Sequence, residues 1–337
     1  MIYKNFELYN VANLVPVDGG MLMARVPENV RMAMAEQGRR MATAACGCEI
    51  RFVINSGKAK LTLRTRDPGT SATAILYYGG VQAGWTTLYQ KINDTDTVLE
   101  IAPPNEPEKL KLISDAAGYP YSTQVIRLLF DSPQIVIVDL EGDVRPPLAE
   151  ETPAKRFMMY GSSITHGSLA CAPNNTYLHQ IARRLGCDMY SMGFAGACRM
   201  EPEMCDYLSE QDNEINPRRW DFAVMELGIN ILGIEPDDFE HRVMYLLTKM
   251  TTKNPDKKLF VIDIYYHSAD LTNPEKSDLF REIVRRCAAK FPQARHIPGK
   301  SLLTSARGLS ADFVHPNIDG VDEIARNLGA ILEAEAL

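Results

Sequence analysis

The chain has 337 residues, 45% of them apolar and 23% charged, a balance that excludes wholesale disorder. At about 150 residues per domain this length suggests two domains. Its 36 Lys and Arg against 43 Asp and Glu leave a net charge of −7, and without a long basic run this argues against nucleic-acid and anionic-membrane partners. No stretch approaches the roughly 18 consecutive apolar residues of a membrane span. The opening MIYKNFELYN carries Lys4 and Glu7 and lacks the apolar core and cleavage site of a secretory signal. The seven cysteines, Cys46, Cys48, Cys171, Cys187, Cys198, Cys205 and Cys287, are odd in number and scattered. They read as reduced thiols, so a cytoplasmic protein is expected.

To about residue 140 the chain reads as short strands between turns. CEIRFVIN, AKLTLRTR, TAILYYGG, TTLYQKI, TVLEIA, QVIRLLF and QIVIVDL are rich in β-branched and aromatic residues, and several alternate apolar with polar. Turns are expected at Asn55-Ser56-Gly57, Asp67-Pro68-Gly69, Gly79-Gly80 and Pro103-Pro104. The pattern predicts a β-sandwich or jelly-roll whose single short helix lies within Val30 to Ala45. Trp85 is expected as a core anchor, with a carbohydrate-stacking platform as the alternative. Residues 142 to 156 hold Pro146, Pro147 and Pro153 together with the acidic Asp143, Glu150 and Glu151. Pro-rich polar stretches mark boundaries, which divides the chain into residues 1–150 and 151–337.

The rhythm then changes to strands alternating with helices. RFMMY, CDMYSMGF, WDFAVMEL, KLFVIDIYY and ARHIPG are the expected strands. TYLHQIARRLG, DFEHRVMYLLTKMTTK, PEKSDLFREIVRRCAAKF and DGVDEIARNLGAILEAEAL are the expected helices. Such alternation implies right-handed crossovers, a parallel sheet covered on both faces and working residues just past the carboxyl ends of the strands.

The first of these strand-to-helix turns reads Tyr160-Gly161-Ser162-Ser163-Ile164-Thr165-His166-Gly167. Such a turn can present a hydroxyl beside backbone N–H groups that stabilise negative charge. It can equally be a steric necessity or a phosphate-binding loop, but a Walker A loop is excluded because no Lys follows the Gly. Gly193-Phe194-Ala195-Gly196 follows the second strand, and Glu226-Leu227-Gly228-Ile229-Asn230 ends the third. Gly N–H and Asn side-chain groups are the uncharged donors a developing oxyanion needs; each stretch could also be only a tight turn. Asp312-Phe313-Val314-His315 precedes the last helix, and an Asp three residues before a His can orient the ring while the far nitrogen acts as base. Alone, that pair could be a surface ion pair. Cys46-Gly47-Cys48 is too close and isolated for a four-ligand zinc site, so no metal is expected.

In their order Ser, Gly, Asn, Asp-x-x-His, each beyond a different strand, these features resemble the SGNH hydrolases, or GDSL esterases. The resemblance spans roughly residues 155 to 337. It implies a flavodoxin-like three-layer α/β/α domain with a parallel sheet, preceded here by the β-sandwich. It further implies that Ser163 is the nucleophile, His315 the base and Asp312 its orienter. The oxyanion hole would be formed by the N–H groups of Ser163 and Gly196 with the side chain of Asn230, without cofactor. The family's literal Gly-Asp-Ser-Leu is here Gly161-Ser162-Ser163-Ile164, so the Asp that often precedes the nucleophile is missing. His166 lies close to Ser163, where it either contacts substrate or stabilises the loop. A sandwich ahead of such a domain is similar to bacterial two-domain members, carbohydrate esterases and an acyltransferase among them.

The implied function is a serine esterase acting on short acyl esters, acetyl esters of carbohydrates first, the substrate being a small molecule or an oligosaccharide. An acyltransferase would use the same residues. A phosphate-, nucleotide- or carbohydrate-binding protein without catalysis is the alternative from another class, although it gives Asn230 and the Asp312–His315 pair no reason to accompany Ser163. A homo-oligomer is compatible with all three.

Overall fold

The computed structural model describes residues 1–336. Its two sheets follow the two rhythms of the sequence. The first is antiparallel, has eleven strands and ends at Arg145; the second is parallel, has five and begins at Arg156.

The antiparallel sheet is organised by one long strand, β1 (Glu49–Thr65). The first residues of β1 pair with Phe6–Tyr9 on one edge and with β2 (Val125–Phe130) on the other. Its last half pairs with Thr97–Ile101 and with β3 (Ile135–Arg145). Phe6, Ile50, Phe52, Leu61, Leu63, Leu99, Ile126, Leu128 and Ile137 from both halves belong to one contiguous buried core. A strand bent between two neighbour sets can close a sheet on itself as a sandwich.

Three expectations for this half are corrected. Asn55-Ser56-Gly57 is not a turn between two strands but an exposed bend inside β1, where Gly57 takes φ +71°. The Asp143 carboxylate of β3 accepts from both Asn55 Nδ2 and Ser56 Oγ, at 2.9 Å each, and carries the pairing through the bend. The helix expected within Val30–Ala45 is two short ones, α1 (Glu28–Ala33) and α2 (Glu36–Ala42), because Met34 and Ala35 are extended. A further helix, α3 (Pro107–Ala117), follows Pro103-Pro104, with Pro107 at its start and Gly118 left-handed at its end. Trp85 is 90% exposed and is no core anchor; the buried tryptophan is Trp220.

The parallel sheet contains β4 (Arg156–Gly161), β5 (Asp188–Gly193), β6 (Phe222–Glu226), β7 (Lys258–Ile262) and β8 (Ala294–Ile297). Their spatial order is β5-β4-β6-β7-β8, the flavodoxin-like order. Alternate residues face opposite layers. Phe157, Met159, Phe222, Val224 and Phe260 pack with helices α5 (Tyr177–Leu185) and α9 (Ile318–Glu335). On the other face Met158, Tyr160, Ala223, Met225 and Val261 pack with α6 (Pro202–Ser209), α7 (Pro236–Lys253) and α8 (Glu275–Ala288). The one-turn α4 (Ser163–His166) follows β4 directly. Among the described residues no helix is long and apolar enough to cross a membrane.

The two halves share a packed and hydrogen-bonded junction. Tyr9, Val26, Val30, Met34 and Ala42 join the core beneath the parallel sheet. Tyr9 stacks on Tyr190 with ring centroids 5.2 Å apart, and Asn10 Nδ2 and Arg25 Nη1 both donate to the Ser191 carbonyl. Arg51 forms a two-pronged pair with Asp188 at 2.8 and 2.7 Å, while Glu49 bridges Arg51 and Arg127. All four ionic groups are buried, the setting in which such pairs need full hydrogen bonding.

Candidate active site

At the carboxyl end of β4 the chain turns sharply into α4. Ser162 caps the helix, its Oγ accepting the Ile164 N–H at 3.2 Å. Ser163 is the first helical residue, so its own N–H has no acceptor within the helix. Among the described residues it has none elsewhere. Its side chain, mostly buried, reaches the cleft.

From the other side comes the loop before α9. Ser163 Oγ lies 2.6 Å from His315 Nε2, and His315 Nδ1 lies 2.7 Å from Asp312 Oδ2. The other carboxylate oxygen, Oδ1, accepts the N–H of His315 at 2.9 Å, the N–H of Val314 at 3.1 Å and the hydroxyl of Ser310 at 2.8 Å. Burial works against the Asp312 charge, but the bonds from His315, Ser310 and Val314 outweigh it and hold the carboxyl well below the usual carboxylate range. The same bonds fold the loop so that the imidazole must face Ser163. Asn317 anchors its far end, accepting the Gly320 N–H and donating to the carbonyls of Arg307 and Leu309.

Two further elements complete the cleft. After β5, Gly196 adopts φ +67°, a conformation that favours glycine, and its N–H has no acceptor among the described residues. After β6, Asn230 lies in a 3₁₀ turn and its Oδ1 accepts the Cys198 N–H at 3.0 Å. That bond leaves the Asn230 amide N–H group unengaged by the described residues. Ser163, Gly196, Asn230, Asp312 and His315 therefore line one open cleft of about 590 Å³. Three hydrogen-bond donors without protein acceptors in a cleft beside a serine–imidazole pair can bind a negative oxygen next to an activated hydroxyl.

His166 is not brought into this cleft. It is buried, with Nδ1 3.0 Å from the Gly193 carbonyl and Nε2 2.6 Å from Ser132 Oγ. Burial first, then the Arg25 charge, push its pKa down to about 4. It joins the nucleophile turn to the antiparallel half.

The cleft also holds residues that the sequence did not single out. Gln37 of α2 lines it and donates to the Ala195 carbonyl at 3.1 Å, so the first half reaches the site. His267 lines it from the loop after β7 and is held through Nε2 by Ser277 Oγ at 2.9 Å. Burial lowers its pKa. Its position just past a strand's carboxyl end was the available signal. Ile229, Leu232 and Val314 supply the apolar lining, Ser168 a hydroxyl.

This combination defines a three-layer α/β protein with a serine–histidine–aspartate constellation at its strand ends. Residues 154–294 match the model of the GDSL-like lipase/acylhydrolase family, which establishes the resemblance read from the motifs. The match ends before Asp312 and His315, whose place at the site comes from the geometry. The fold extends the likeness along nearly the whole chain. A salicylyl-acyltransferase from a tetracycline biosynthetic pathway is 16% identical with a TM-score of 0.77, the alignment covering 99% of this chain and 96% of that one. A family two carbohydrate esterase from Cellvibrio japonicus is 10% identical with a TM-score of 0.63, covering 98% and 95%. A family two carbohydrate esterase from Corynascus thermopiles (Myceliophthora fergusii) is 14% identical with a TM-score of 0.61, covering 93% and 98%. No curated protein matches the chain by sequence.

Proposed function

We propose that this protein is a serine esterase that hydrolyses short acyl esters, acetyl esters of carbohydrates first among them, with Ser163 as nucleophile, His315 as base and Asp312 as its orienter. The observation that carries the reading is the hydrogen-bonded run Asp312–His315–Ser163 ending at a cleft with three unengaged donors. Ser163 Oγ attacks the ester carbonyl as His315 Nε2 takes its proton. The carbonyl oxygen, now negative, receives the N–H groups of Ser163 and Gly196 and the amide of Asn230. The tetrahedral species collapses to an acyl-serine, and the alcohol departs with the proton held by His315. Water, activated by the same imidazole, releases the acid.

The apolar lining of Ile229, Leu232 and Val314 suits a short acyl chain, and the polar groups of Gln37, Ser168 and His267 suit a hydroxylated alcohol. The fold likeness to family two carbohydrate esterases supports this substrate class. The likeness to an acyltransferase keeps a second reading in view, in which an alcohol or amine displaces water in the second step. We place the boundary between the two units near residue 150, with the first contributing Gln37 to the cleft.

Hydrolysis of p-nitrophenyl acetate, butyrate and octanoate by the native protein and by Ser163→Ala tests the reading. Activity should be greatest on acetate and absent in the variant. Activity that persists in Ser163→Ala would refute the nucleophile. Product partitioning with an added acceptor alcohol separates transfer from hydrolysis.

A further inference from the structure

Beneath the turn that carries Ser163 lies an acid that the proposed reaction does not use. Glu226, the last residue of β6, is 1% exposed. Its Oε2 accepts the Ser162 N–H at 2.6 Å and the Thr165 hydroxyl at 3.0 Å. Its Oε1 is buried and has no hydrogen-bond partner among the described residues. The two donors bracket Ser163, one residue before it and two after. Thr165 is held further by Tyr177, whose hydroxyl lies 2.6 Å away.

The close approach depends on Gly161. A Cβ there would stand 2.5 Å from Glu226 Oε2 and 2.2 Å from Thr165 Oγ1. The glycine before the two serines is thus required by the acid below it. Desolvation pushes the Glu226 pKa up against the pull of its hydrogen bonds. A buried carboxyl with one oxygen unsatisfied is a costly residue to retain for packing alone.

Counting donors shows what the acid accomplishes. The Ser162 N–H goes to Glu226 and the Ile164 N–H goes to Ser162 Oγ. Of these three successive N–H groups only that of Ser163 is left for the cleft. A carboxyl oxygen is a strong acceptor, and a 2.6 Å bond leaves the turn little freedom to rotate. We infer that Glu226 is a positioning residue. By holding Ser162 and Thr165 from below, it fixes Ser163 so that Oγ meets His315 and the N–H faces the substrate oxygen. The inference rests on the reading of Ser163 as nucleophile.

The test compares the native protein with Glu226→Ala, Glu226→Gln and Gly161→Ala. The readouts are kcat and KM on p-nitrophenyl acetate, each per site titrated with an organophosphonate, and the rate of phosphonylation of Ser163. A misplacement of about 1 Å costs on the order of 10²-fold. Glu226→Ala should therefore lose kcat and phosphonylation rate in parallel on about that scale, with KM nearly unchanged. Glu226→Gln keeps an oxygen that accepts the same two donors and should retain most of both rates. Gly161→Ala leaves the acid but pushes it from the turn, and should reproduce the Glu226→Ala signature. It carries the test if Glu226→Ala does not fold.

A variant with lowered melting temperature but unchanged kcat per titrated site would show a merely structural residue and overturn the inference. So would equal losses in Glu226→Ala and Glu226→Gln, which would put the effect in the charge. Failure of the native protein to be labelled at Ser163 is a different outcome, because it sinks the esterase reading itself.

Discussion

Asn230 illustrates how a single side chain can be oriented by the bond it accepts. Its carbonyl takes the Cys198 N–H, so the amide group can only turn toward the cleft. If it donates to the oxyanion, Asn230→Ala should lower kcat on p-nitrophenyl acetate by about 10²–10³ with little change in KM. A rate within twofold of the native protein would remove Asn230 from the hole. Ser163, Gly196 and Asn230 meet in one cleft because each lies just past a strand's carboxyl end, a rule readable in the sequence, whereas Asp312 and His315 reach it from the loop before α9. Gln37 was not readable, since nothing within α2 says that the antiparallel half folds over the strand ends. Glu226 was visible only as part of the stretch leading to Asn230. Its burial beneath Ser162 depends on the neighbouring strand, which no local pattern encodes. His166 was legible as near Ser163 in sequence, but its direction is set by Ser132 and Gly193, residues remote from it in the chain.

At the scale of elements, the loop before α9 and the cap of α9 are one device. Asn317 accepts the Gly320 N–H to start the helix and also donates to two carbonyls of the preceding loop. Asn317→Ala should cost about 0.5–2 kcal/mol from the cap alone, measured by denaturant unfolding. It should also lower kcat, because His315 sits two residues before the cap. Unchanged kcat with reduced stability would show that the Asp312 turn holds the imidazole unaided. The alternating strands were legible because each buries one face or lies wholly within the core. The bend in β1 was not, because Asn55-Ser56-Gly57 has turn composition and its continuation depends on Asp143, far along the chain. Helix α3 carried its own signals, Pro107 at the start and Gly118 at the end, but a mean composition rich in lysine and acid hid its period among the turns.

At the scale of the molecule, the junction between the halves is where buried polar groups gather. The Glu49, Arg51, Arg127 and Asp188 charges meet there, and so do two imidazoles held neutral. Burial pushes His166 down to about 4, helped by the Arg25 charge, and His179 down to about 3. In the unfolded chain both would titrate near 6.5. Between these values the unfolded state binds more protons than the folded one, so stability falls as pH falls. The contribution is whole above about pH 6.5 and is lost progressively as the pH drops toward 4. For His166 the difference corresponds to on the order of 3 kcal/mol, at about 1.4 kcal/mol per pKa unit. Denaturant unfolding at intervals from pH 7.5 to 4.5 should therefore show a steep acid loss. His166→Gln should be less stable at pH 7.5, since it disturbs the bonds to Ser132 and Gly193, yet lose less on acidification, its slope reduced by up to one proton. An unchanged slope would mean that the junction opens to water before the imidazole titrates, and that the halves separate more easily than their shared core implies.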